Sequence, residues 1–187
     1  TVTSDAAAHR GHPRRRRAFL AAVLTVGLGL LVLPVVLADG RELLRTAAGI
    51  EAVAWNEPRY PARLLTTSDC PPLLWYRGTL AAVHGPAVAI VGARSASVTG
   101  VELAERLAAD LSARGVTVVS GLARGVDGAA HRGAVRTGRT IAVMASGADR
   151  VYPIEHEALA RDITRHGLVI SEYPPGTVPL PFRFPSA

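Results

Sequence analysis

Lysine is absent from the 187-residue chain: all 21 of its basic residues are arginine. That absence excludes a Walker A phosphate loop, a Schiff-base enzyme and a lysine general base. Cysteine is reduced to Cys70, which permits neither an internal disulfide nor a multi-cysteine zinc site. The chain contains no G-x-G-x-x-G dinucleotide fingerprint, no G-x-S-x-G nucleophile elbow and no internal repeat. No residue is therefore given a catalytic or metal-ligating role, and no cofactor is expected.

What remains is a basic chain of formal net charge +6, but five of the arginines and one acid precede Ala18. The rest carries 16 arginines against 14 acids, so an anion site must come from arginines gathered in one place, not from a globally basic surface. The first residue is Thr1, which reads as a fragment boundary. Residues 1–17 are polar, small and arginine-rich, and a disordered basic tail is expected there. Residues 18–38, opening on Ala18 and closing on Ala38, run AFLAAVLTVGLGLLVLPVVLA without a charge. By length and hydropathy that segment reads as a hydrophobic helix of membrane or signal type, with an arginine flank before it. Residues 39–86 form an extension and linker, including a short helix over 40–48, a strand from Glu51 to Trp55 and a proline-stiffened strand ending at Arg77-Gly78.

Residues 87–187 carry the α/β signature. The run Val88-Ala89-Ile90-Val91 reads as a strand buried on both faces of a parallel sheet, stopped by Gly92. A helix follows near Gly100, with Ala104, Leu107, Ala108 and Leu111 as its buried stripe and Gly115 as its stop. Val116 to Val119, Ile141 to Ala145 and Leu168 to Tyr173 are further strands, separated by helices over 128–136 and 155–166. The fold class is thus α/β: a Rossmann-like, three-layer domain with a mostly parallel sheet, preceded by the hydrophobic helix.

Three glycine loops then leave one sheet edge: 92–100, 120–125 and 146–149. Such an edge presents main-chain N–H groups and positive helix ends to an oxygen-rich ligand. Arg94 and Arg124 add guanidinium forks suited to phosphate oxygens, and Ser95, Ser97 and Ser120 add hydroxyls. Glycine at strand exits is common in any α/β domain, so one such loop would carry little. Two that bear arginine on a single edge favour a phosphate-bearing ligand, provided that the two guanidinium groups meet. Ser120, Asp127 and His131 could suggest a triad, but Asp127 is better placed to cap a helix or tie the preceding loop, and His131 to pack. Glu172, ending the fourth strand, is the acid expected to reach this edge and orient an arginine.

In order, the segments YPARLL, CPPLLWYRG, VAIVGARSASVTG, VVSGLARGVDGAAHRGAV, TIAVMASGADRVYPIEHEALA and LVISEYPPGTVPLPFRFP resemble the DNA-processing protein A family, DprA or Smf. The resemblance implies single-stranded DNA held at the strand-edge pocket, action in DNA uptake and recombination, a RecA-type recombinase partner and a homodimer in the complete protein. By position it carries a phosphate- and DNA-binding role to Gly92, Arg94, Ser95, Ser97, Gly100, Ser120, Gly121, Arg124, Gly125 and Gly147. Asp127, His131 and Glu172 support that site. Tyr152, Tyr173 and Phe184 are the aromatic rings near the edge. Thr99 stands where the family usually has tyrosine, and the chain ends at Ala187, before the family's R-N-R motif. A binding protein in the cytoplasm is the expectation; a nucleotide hydrolase of a related fold, and a module anchored to the membrane through residues 18–38, are the alternatives.

Overall fold

The computed structural model describes residues 33–36, 42–45 and 49–180. Its sheet contains β1 (Leu33–Val36), β2 (Glu42–Arg45), β3 (Glu51–Ala54), β4 (Leu73–Gly78), β5 (Ala87–Ala89), β6 (Thr117–Ser120), β7 (Thr140–Met144) and β8 (Leu168–Ser171). Their spatial order is β1-β2-β3-β4-β8-β7-β6-β5. The half from β8 to β5 is parallel, and β4 to β1 are added antiparallel. Parallel neighbours need long crossovers, and α1 (Val98–Ala113), α2 (Val126–Thr137) and α3 (Glu157–His166) supply them. The α/β, Rossmann-like class read from the sequence is observed, but with a mixed sheet of three parallel and four antiparallel pairings where a mostly parallel one was expected, because the strands ahead of the glycine loops join the same sheet.

Alternation along the strands sorts the core. Ala142 and Met144 pack with Ala160 and Ile163 of α3, together with Ile50, Ala52 and Trp75. Val118, which pairs with Thr140 on that same face, packs against Ala108 of α1 and Ala130 and Ala134 of α2. The opposite face carries Ile141, Leu168 and Ile170 against Val53, Tyr60, Leu74, Tyr76 and Ala82. The extension ahead of the glycine loops thus contributes three strands, β2, β3 and β4, to the same sheet and five of the eight buried residues of that core cluster.

Three expectations are corrected. Residues 33–36, read as part of a hydrophobic helix, and residues 42–45, read as a short helix, are strands paired antiparallel from Leu33↔Arg45 to Val36↔Glu42. Hydropathy alone does not separate an apolar strand from an apolar helix, and Val35 and Val36 are β-branched. The rest of the apolar segment, residues 18–32 and 37–38, lies outside the described residues. Among those described, no helix is long and apolar enough to cross a membrane.

Second, β5 is shorter than expected and lies at the sheet's edge, with β6 on one side only. Val88 and Val91 are 42% and 72% exposed, because a strand's position within a sheet depends on strand order and not on its own apolar run. Third, Leu107 is 47% exposed, and the buried positions of α1 are Ala104, Ala108 and Ser112. The cause is close helix packing: Gly133 of α2 sits so near the main chain of Glu105 that a Cβ would overlap its carbonyl oxygen. Small side chains fill that crossing, and the larger leucine is turned outward.

Candidate functional site

Because β5, β6 and β7 run parallel, the loops after them leave on one edge. The first is shaped by Ser97, whose Oγ accepts the Gly100 N–H at 3.1 Å and starts α1 at Val98. Gly92, Arg94, Ser95 and Ser97 are exposed along it.

The second loop is tied down at four points. Ser120 Oγ donates to the Ile90 carbonyl at 2.7 Å, and Asp127 Oδ2 accepts the Gly121 N–H at 3.2 Å. Leu122 is fully buried with a left-handed φ of 60°, and His156 Nδ1 donates to its carbonyl at 2.9 Å. A leucine held in that region carries backbone strain that the surrounding contacts must offset. Gly125, at φ +71°, faces the Ala93 and Arg94 carbonyls with no room for a Cβ, while the Val126 N–H donates to Ala93 O at 3.3 Å. The first and second loops are therefore joined main chain to main chain.

Together they shape a recess of about 160 Å³ lined by Arg94, Ser95, Ala123, Arg124, Tyr152 and Pro153. The two arginines, 30 positions apart in the chain, line the same small volume. The third loop is placed differently from the other two. Gly147 donates its N–H to Thr177 O at 2.9 Å, and Asp149 Oδ1 accepts the Gly176 N–H at 2.8 Å. Its glycine amide is thus held by the segment after β8, and Tyr152 and Pro153, just beyond it, complete the recess. The Ser120 hydroxyl and the amides of Gly100, Gly121 and Gly147 are all engaged within the protein, which leaves side chains to dominate the recess lining.

Asp127 and His131 lie beneath this edge. His131 is fully buried on α2. Thr140 Oγ1 donates to Val118 O at 2.7 Å, so it accepts from His131 Nδ1–H at 2.8 Å. Nε2 is then the unprotonated nitrogen, and among the described residues it has no hydrogen-bond partner. Burial pushes the ring's pKa down to about 3, opposed by the Ser120 main chain and assisted by His156. Ser120, Asp127 and His131 thus bind three separate partners and form no relay.

Arg124 is paired with an acid to which the sequence assigned no role at this edge. Glu155 accepts from Arg124 Nε at 2.6 Å, and the pair is half-exposed. Glu172, the acid expected there, is exposed and forms no ion pair among the described residues. Glu155 and His156 fall within the helix expected over 155–166. They instead occupy a 3-10 turn, Ile154–His156, that sends the first to Arg124 and the second to the Leu122 carbonyl. Tyr152 is 49% exposed; Phe184 lies outside the described residues.

Residues 51–186 match the family model described as DNA recombination-mediator protein A. The chain is 42% identical over 128 residues to DNA processing protein DprA of Streptococcus pneumoniae, covering 68% of this chain and 45% of that protein. It is 46% identical over 126 residues to a putative DNA processing protein DprA of Mycobacterium tuberculosis, covering 66% and 32%. The X-ray structure of the Streptococcus pneumoniae protein superposes with a TM-score of 0.67, at 40% identity over 72% of this chain and 47% of that one. DNA processing protein A from Helicobacter pylori, described for its single-stranded DNA binding mode, superposes with a TM-score of 0.62, at 26% identity over 71% and 60%. The chain spans about a third to a half of the length of the curated relatives it matches.

Proposed function

The chain belongs to the DNA recombination-mediator protein A family, and from that premise we propose that it binds single-stranded DNA through the recess between its first two glycine loops. The observation that carries the reading is that Arg94 and Arg124 line one recess beside an exposed tyrosine. Guanidinium groups set affinity for a phosphodiester backbone without reading bases, and an aromatic ring can stack any base. Gly92, Ser95, Ser97 and Gly125 shape the approach, while Asp127 and His131 hold the loops from below.

Binding without turnover is the proposed activity, since the side chains lining the recess are cations, a hydroxyl and an aromatic ring, not an acid–base pair. In the complete protein we further propose a role in DNA uptake and recombination, partnership with a RecA-type recombinase, self-association and a cytoplasmic setting, all by family analogy.

Titration of oligo(dT) against wild type and Arg94→Ala at several salt concentrations tests the site. The variant should bind every sequence more weakly, and the slope of log K against log salt should fall by about 0.7, the value of one phosphate contact on a single strand. An unchanged affinity and slope would remove the recess from the interface.

A further inference from the structure

We propose that Glu155 is a built-in competitor for Arg124, a carboxylate seated where a phosphate would sit, so that the recess favours a phosphodiester chain over single phosphates. The inference rests on the phosphate-binding reading given above and adds to it a determinant of selectivity.

The geometry is specific. Glu155 Oε1 accepts from Arg124 Nε at 2.6 Å and stands 2.5 Å from its Nη2. Those two parallel N–H groups form the guanidinium edge that fits two oxygens of a phosphate. Glu155 engages them through one oxygen, without the fork-on-fork arrangement of a full bidentate pair. The side chains are 62% and 48% exposed, so water and salt screen the pair and a competing anion can displace the carboxylate. Glu155 remains ionised at neutral pH, because its own main-chain N–H and then Arg124 hold its carboxyl below the usual range.

Selectivity follows from what each ligand brings. A lone phosphate must displace Glu155 and sit beside a freed carboxylate with few other contacts. A strand already held at Arg94 presents its next phosphate to Arg124 at high effective concentration, and the displacement becomes intramolecular. Displacement also exchanges one anion for another at Arg124, so that contact adds little to counterion release in the wild type. With Glu155 neutralised, Arg124 carries solution counterions, and binding must release them.

Inorganic phosphate and oligo(dT) serve as probes against wild type, Glu155→Gln, Arg124→Ala and the double variant, with Glu157→Gln as the control. Glu157 is a partly exposed acid two residues on, paired with Arg161, so its replacement removes the same charge away from the recess. Glu155→Gln should bind inorganic phosphate about two- to fivefold more tightly, as displacing a half-exposed ion pair implies. It should also steepen the oligo(dT) salt slope by about 0.7. The double variant should show neither gain, and Glu157→Gln should resemble the wild type. If Glu155→Gln changes neither probe while Arg124→Ala still weakens oligo(dT), the competitor role is wrong and the recess reading stands. If Glu155→Gln weakens oligo(dT) as much as Arg124→Ala does, Glu155 positions the arginine and the competitor role is again wrong. If Arg124→Ala and Arg94→Ala both leave oligo(dT) binding untouched, the recess reading fails and the competitor role fails with it.

Discussion

Gly125 lies so close to Ala93 that a Cβ on the glycine would overlap the alanine carbonyl oxygen and stand 2.7 Å from that of Arg94. This contact fixes the distance between the loops that carry Arg94 and Arg124. Relative to one another, the two arginines are held by backbone, not by flexible side chains.

Gly125→Ala should therefore damage both fold and site. The residue has φ +71°, which a Cβ disfavours, and the overlap forces the two loops apart. A loss of about 1–3 kcal/mol is expected in urea unfolding, the usual scale of such strain. Oligo(dT) affinity should fall in the variant even under conditions where it is fully folded. A variant with wild-type stability and affinity would show that the loops can separate without cost.

His131 should make the fold sensitive to acid. Its imidazole takes up a proton near pH 6.5 in an unfolded chain, but only at about 3 in the native fold. The folded pKa is the lower one, so this contribution to stability is complete above pH 6.5 and is lost as the pH falls from there towards 3. The limiting slope is about 1.4 kcal/mol per pH unit, corresponding to one proton. Unfolding free energies of wild type and His131→Leu between pH 7 and 4 check this. The variant should be less stable at pH 7, having lost the bond to Thr140, yet its pH dependence should be flatter by one proton. Parallel curves would assign the acid sensitivity to another group.

Tyr152 should contribute by stacking. Tyr152→Ala is expected to weaken oligo(dT) binding by about 1–3 kcal/mol, the range for one base on one ring, whereas Tyr152→Phe should bind nearly as well as wild type. A full loss in the phenylalanine variant would mean that the hydroxyl, and not the ring face, is what the ligand uses.

Much of this site was legible in the sequence because its parts are local. An apolar run followed by glycine marks a strand exit whether the strand is central or at an edge, so the loops bearing Arg94 and Arg124 could be assigned to one edge from the sequence pattern. Features that depend on remote partners were not legible. Glu155 meets Arg124 across 31 residues and His156 meets Leu122 across 34, and a 3-10 turn, indistinguishable in sequence from the first turn of α3, separates their directions. Leu107 was misplaced for a related reason. The close approach of α1 to Gly133 makes alanine the buried residue at the crossing, which a hydrophobic periodicity read on one helix does not show. The strand at residues 42–45 depends on pairing with residues 33–36 and with Glu51, and propensity within the segment did not reveal it.

The outer margin of β5 has one further consequence. Its chain runs beside β6 on one side and, among the described residues, has no strand on the other, with Val88 and Val91 unshielded. Backbone left open in this way, with proline only at its start (Pro86), is a template for a polypeptide that can lie alongside it. Concentration thus becomes a structural variable for this chain: dilute preparations keep that margin solvated, while crowded ones offer it strangers.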